Sequence, residues 1–229
     1  MTRAVVLASL AACSAPGAND VDAALPIDAP RDPWATYTIA MGAHAATISG
    51  GGPGNPVRAI VEVSGRDYQF AFDPSAQYVL TMPTQPEDQL DWNKLPGLSD
   101  CSTADLSVNG AMFGWRWRLD LEPPVLEVTA YANNDRVHLT TPTLITVTAA
   151  ELASATPLRY RFAIDGDRYR FAIRGALGDR AIDVTAELPR SCPTIDPRLT
   201  KWAAGFYFGG TSVAPSVITG RISEQPFTE

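Results

Sequence analysis

One hexapeptide occurs twice in this chain. Arg159-Tyr-Arg-Phe-Ala-Ile164 is followed, after Asp165-Gly166-Asp167, by Arg168-Tyr-Arg-Phe-Ala-Ile173. Each copy alternates polar and apolar residues, the period of a strand with one buried face. Asp-Gly between two such runs signals a hairpin. A two-residue loop at Asp165-Gly166 sets Phe162 opposite Tyr169 and Tyr160 opposite Phe171, with every apolar side chain on one face. A three-residue loop would oppose apolar to polar unless a bulge corrected it. The other face then carries Arg159, Arg161, Arg168 and Arg170, with Arg161 opposite Arg170. Like charges directly opposed destabilise a sheet unless something neutralises them. Two readings follow: an anion site for a uronic-acid or phosphorylated glycan, or a solvated face balanced by Asp183 and Glu187 on the next strand. The balanced face is the simpler of the two, and the four arginines stay candidate ligand residues.

The same period recurs from Trp34 onward. Alternation marks Val57–Val63, Tyr68–Phe72, Phe113–Leu119, Leu126–Tyr131 and Ile182–Glu187, and further strands are expected at Tyr37–Met41, Gln77–Met82, Arg136–Leu139, Leu144–Thr148 and Val217–Ile222. Only Ala149–Ala155 suits a helix, and a short one. With 17 glycines and 19 prolines for turns, this pattern predicts an all-β fold: a single antiparallel β-sandwich, jelly-roll or concanavalin-like, over residues 34–229.

The three cysteines, Cys13, Cys101 and Cys192, are not equivalent. Arg3, the apolar run Ala4–Ala12 and then Leu10-Ala11-Ala12-Cys13 resemble the start of bacterial lipoproteins. That resemblance implies a signal peptide over 1–12, lipidation of Cys13 and a membrane partner reached through the lipid. Ser14 in the next position implies transfer to the outer membrane. Ser14–Pro33, with prolines at 16, 26, 30 and 33 and no aromatic residue, reads as an extended tether. Two cysteines remain in a compartment that permits disulfides. A Cys101–Cys192 bridge would close a loop of about 90 residues, worth roughly 4–5 kcal/mol in the chain-entropy view; two buried free thiols are the alternative.

The formal net charge of −7 lacks the basic footprint of a nucleic-acid binder. The apolar run before Cys13 is too short to span a bilayer. His44 and His138 are the two histidines, both expected in structural roles, and no nucleophile elbow, phosphate loop or cysteine–histidine metal spacing occurs. No cofactor or metal site is expected. Carboxylates for glycoside chemistry are available at Glu87, Asp88 and Asp91 and at Asp165 and Asp167, but the strand motifs of laminarinase-like and alginate-lyase-like sandwiches are absent. Aromatic residues outside the strand cores are the better lead: Trp92, Trp202, Tyr131 and Tyr207 offer flat rings to sugars. Phe113-Gly-Trp-Arg-Trp117, Val125–Ala132 and Gly205-Phe-Tyr-Phe-Gly-Gly-Thr-Ser-Val-Ala-Pro215 together resemble uncharacterised bacterial lectin-like, jelly-roll proteins, a family that brings no established activity. The expectation is a lipid-anchored envelope protein that binds glycan or serves structurally, rather than an enzyme. A polysaccharide lyase or hydrolase and a purely architectural protein are the alternatives.

Overall fold

The computed structural model describes residues 33–50 and 56–229. Cys13, the 1–12 leader and the tether to residue 32 lie outside the described residues. In chain order the strands are β1 (Ala35–Ile39), β2 (Ala46–Gly50), β3 (Arg58–Ile60), β4 (Gly65–Phe72) and β5 (Asn93–Lys94). Then follow β6 (Gly97–Ser99), β7 (Gly110–Arg118), β8 (Val125–Asn134), β9 (Val137–Thr140) and β10 (Ile145–Thr148). A short helix, α1 (Ala149–Ala153), precedes β11 (Leu158–Asp165), β12 (Arg168–Leu177), β13 (Arg180–Pro189), β14 (Lys201–Ala204) and β15 (Ile218–Gln225). Thr148 caps α1 by accepting from the Glu151 backbone N–H, and no helix among the described residues is long and apolar enough to cross a membrane.

Two antiparallel sheets result, an all-β sandwich of the expected class. The first runs β13-β12-β11-β4-β15-β1-β2; the second runs β10-β8-β7-β6-β14-β3, with β5 paired to β7 and β9 to β8. Period-2 alternation turns one face of each toward the other. From β7, Phe113 meets Tyr160, Phe162 and Phe171 of the first sheet at centroid distances of 5.2, 6.4 and 5.3 Å. Trp115 meets Phe72 at 5.4 Å and Phe206 at 5.3 Å. Each such buried ring contributes roughly 2 kcal/mol of transfer free energy.

The duplicated hairpin forms, but two places out of the expected register. Phe162 stands opposite Phe171, Tyr160 opposite Ile173 and Asp165 opposite Arg168. The loop is therefore Gly166-Asp167 rather than Asp165-Gly166. Gly166 takes a φ of 58°, and a glycine at the first central position is what a type II′ turn demands. Slipping by two leaves every side chain on its expected face. It also removes the Arg161–Arg170 opposition, since Arg161 faces Ala172 and Arg170 faces Ala163. Asp183 and Glu187 do balance this face: Arg174 pairs with Asp183 at 3.1 Å and Arg170 with Glu187 at 3.5 Å.

Two other expectations change. Val57–Val63 yields only the three residues of β3, and Gln77–Met82 forms no strand. In the second stretch a side chain takes the ladder's place. Gln89 accepts from the Leu80 N–H at 2.8 Å and donates to the Tyr78 carbonyl, so the backbone is satisfied without a partner strand.

Cys101 and Cys192 are disulfide-bonded, with Cα atoms 5.7 Å apart. Beside the bridge, Asp100 is wholly buried and fully used. Its Oδ2 accepts from Arg190 Nε at 2.6 Å and Tyr169 Oη at 2.9 Å; its Oδ1 accepts from Arg190 Nη2 at 3.1 Å and Lys201 Nζ at 2.9 Å. Tyr169 lies on β12 and Lys201 on β14, so this carboxylate joins the two sheets. Burial alone would raise its pKa, but the hydrogen bonds from Arg190 and Lys201 hold it below the ordinary value. A depressed carboxylate stabilises the fold fully above its unfolded pKa and loses that contribution as pH falls through the folded one. Arg190→Met should cost about 3–5 kcal/mol at neutral pH by stripping a buried charge of its main partner, and should flatten the acid limb of stability below about pH 4. Urea titrations across pH check both; an unchanged acid limb would contradict the role given to Asp100.

Candidate functional site

Alternation also decides what the second sheet shows on its outer face, away from the core. Phe113, Trp115 and Trp117 point inward, so Met112, Gly114 and Arg116 point outward. Register carries this across the sheet: Met112 pairs with Tyr131 and Tyr131 with Thr140, while Gly110 pairs with Asn133 and Asn133 with His138. Over these residues lies a cleft of about 870 Å³, walled by Asp91–Leu95, by Asp105–Ser107 of the loop after Cys101, and by Gly205–Tyr207.

At its floor, Tyr131 Oη and His138 Nδ1 are hydrogen-bonded at 2.6 Å. Burial, and secondarily the charge of Asp91, pushes the Tyr131 hydroxyl up to about 12. Next to this pair, Asn133 donates from Nδ2 to the Leu106 carbonyl at 2.6 Å and so fastens the 105–107 wall. Its Oδ1 is buried with no hydrogen-bond partner. A buried acceptor without a donor is costly and uncommon.

Lys94 enters from β5. Its backbone exchanges hydrogen bonds with Tyr207, at 2.8 Å for its own N–H and 3.0 Å for its carbonyl. Its Nζ lies 5.0 Å from the Tyr131 ring centroid and donates to the Trp92 carbonyl. Burial pulls the amine down to about 8, against the opposing charge of Asp91. Asp91 is itself raised, first by burial and then by Asp88.

Two aromatic rings frame the opening. The Arg116 guanidinium lies 4.0 Å from the Trp92 ring centroid, and a Cβ at Gly114 would sit 3.2 Å from the indole. Tyr207, about two-fifths exposed, stacks on His44 at 5.5 Å with planes 14° apart.

Of the residues singled out in the sequence, the structure gathers Trp92 and Tyr207 with Tyr131 in this cleft. Trp202 points to the same face of the sheet as the cleft-lining Ala204, two places along β14, but does not line the cleft. Arg159, Arg161, Arg168 and Arg170 lie on the outer face of the other sheet, the far side of the molecule. Arg159 and Arg161 share the buried Asp67, Arg168 meets Asp167, and Arg170 meets Asp165 and Glu187. Of the carboxylates, Asp88 is buried under Thr211 and Ser212, which donate to it, while Asp91 faces the cleft. Asp100, Cys101 and Cys192 bring ligand atoms within 4.8 Å of one another, but the sulfurs are bonded together and the carboxylate is filled by cations. That group does not suit a metal.

Lys94, Asn133 and His138 were not legible as site residues. The alternating row Thr129, Tyr131 and Asn133 along β8 was the available signal.

No protein-family model matches the chain, and no curated protein matches it. Solved structures show low-level similarity. The CBM2 module of the evolved Dit of Lactobacillus casei BL23 phage J-1 aligns with a TM-score of 0.41 and 7% identity, over 84% of this chain and 77% of that one. An alginate lyase from Klebsiella pneumoniae aligns with a TM-score of 0.42 and 10% identity, over 70% and 57%. The kappa-carrageenase from Pseudoalteromonas carrageenovora aligns with a TM-score of 0.31 and 8% identity, over 83% and 77%.

The chain has only two lysines, Lys94 and Lys201, which makes the electrostatics of the cleft directly measurable. In a carbon-detected NMR titration of the lysine side chains, the Lys94 signal should move with a midpoint of about 8. A midpoint above 10, the ordinary lysine value, would mean the amine is solvated rather than sunk in the cleft.

Proposed function

We propose that the cleft binds a polysaccharide chain and that the protein is a glycan-recognising module of the bacterial cell envelope. One observation carries this reading: two aromatic rings, the partly buried Trp92 and the two-fifths exposed Tyr207, frame a cleft with an unpartnered buried acceptor, Asn133 Oδ1, on its floor. Saccharides offer both complements, with apolar ring faces for the aromatics and hydroxyls to donate to the acceptor. A mostly apolar concavity with a few convergent polar groups is the usual form of a ligand site. In a glycan-array screen followed by calorimetry, Trp92→Ala and Tyr207→Ala should each weaken binding about tenfold, or about 1.4 kcal/mol. Wild-type protein that binds no glycan would remove the reading.

The envelope address rests on the sequence around Cys13. Cys13→Ala should move the protein from the membrane fraction to the soluble fraction, and unchanged fractionation would exclude a lipid anchor.

A second reading, cleavage of the bound chain, is favoured by the Tyr131–His138 hydrogen bond. A hydroxyl already bonded to an imidazole is equipped to pass a proton to or from a glycosidic oxygen or a neighbouring carbon. On this reading new chain ends accumulate with wild-type protein, and Tyr131→Phe abolishes their release while leaving glycan affinity within a few-fold. Binding with no new ends favours the first reading.

A further inference from the structure

Among the described residues, buried cations form ion pairs, with one exception. Arg190 and Lys201 hold Asp100, and Arg66 holds Glu224. Even the exposed arginines at 159, 161, 168 and 170 each meet a carboxylate. Lys94 forms no ion pair among the described residues. Its Nζ donates one hydrogen bond, to the Trp92 carbonyl, and otherwise faces the edge of the cleft and the Tyr131 ring. An ammonium has three donors, so two remain to be placed.

Two carboxylates border the cleft without filling that role. Asp105 serves its own loop, accepting at Oδ1 from the Ser107 N–H at 2.8 Å. Asp91 favours the charged form of Lys94 through its opposite charge but forms no ion pair with it. A desolvated charge without a counterion is expensive in a folded protein. Such a charge at the wall of a cleft suits an anionic group, and the ring of Tyr131 lies 5.0 Å from it.

We infer that Lys94 is the specificity-determining residue of the cleft and selects saccharides that carry a carboxylate. The inference rests on the cleft being a saccharide site, and narrows its ligands to acidic chains such as polyuronates. It also relocates the acidic-glycan site from the arginine face, whose charges are already matched, to the opposite side of the sandwich. The carboxylate of one sugar residue pairs with the Lys94 ammonium, while Trp92 and Tyr207 stack on ring faces as they would for a neutral chain. Affinity for the sugar framework and preference for its charge are therefore separable.

The experiment uses matched ligands: oligogalacturonate, alginate and hyaluronan oligosaccharides, each with its carboxyl-reduced counterpart, titrated calorimetrically at pH 7. Wild-type protein should bind at least one acidic chain about tenfold or more tightly than its reduced form. Lys94→Gln should erase that preference while keeping affinity for the reduced chain, and Lys94→Arg should retain most of it. Lys94→Gln removes a desolvated charge that forms no ion pair, so its melting temperature should equal or exceed that of wild type, which guards against a folding artefact. Equal wild-type affinity for both members of every pair, or a preference that survives Lys94→Gln, would overturn the inference and leave the saccharide reading intact. Binding to neither member of any pair would remove the saccharide reading and this inference with it.

Discussion

The carboxylate of Asp100 is the point on which the sandwich turns. Two β-sheets stacked through apolar side chains can slide, because hydrophobic burial has no preferred direction. A buried carboxylate with four donors is directional. Its partners come from β12, from β14 and from the residue after β13, so the sheets meet in one alignment. The adjacent Cys101–Cys192 bridge fixes the same corner covalently. Asp100 follows β6 and begins the loop whose residues 105–107 wall the cleft, which makes the wall an extension of this anchor. Stability and site geometry thus share one polar cluster.

The cleft is a product of what the outer face of the second sheet leaves out and what it supplies. Gly114 lets the Trp92 indole approach the backbone closely, and Arg116, held by Glu127 at 2.9 Å, lies 4.0 Å from the same ring. Tyr131, Asn133, His138 and Thr140 then project from two paired strands with no rotamer freedom needed to bring them together. A site assembled on paired strands is held more firmly than one on loops alone. The Asn133 amide does two things at once, tying the Leu106 wall with its nitrogen and presenting its oxygen to the interior.

Much of this architecture could be read from alternation, and the failures are instructive. The repeated hexapeptide identified two partner strands and their buried faces, yet a register slip of two places changes no face, so patterning had no power to detect it. Gln77–Met82 alternates like a strand, but a single glutamine nine to eleven residues on takes up the Tyr78 carbonyl and the Leu80 N–H, and no periodicity announces that. Trp92 and Tyr207 were visible as aromatics outside the strand cores. Lys94 was not, because its burial depends on β5 meeting Tyr207 far along the chain. His138 looked structural in isolation and acquires its partner only through the β8–β9 register.

The arginine face has a consequence beyond its own stability. Each of its charges is matched within the sheet, so that side of the molecule has little long-range field once salt screens it over about 8 Å. The chain as a whole is acidic, at −7. Toward a polyanionic surface, nearly all of the protein is therefore indifferent or repelled, and adhesion through scattered surface contacts is suppressed. On the reading proposed for Lys94, attachment to such a polymer would be decided in the cleft, by fit rather than by bulk charge.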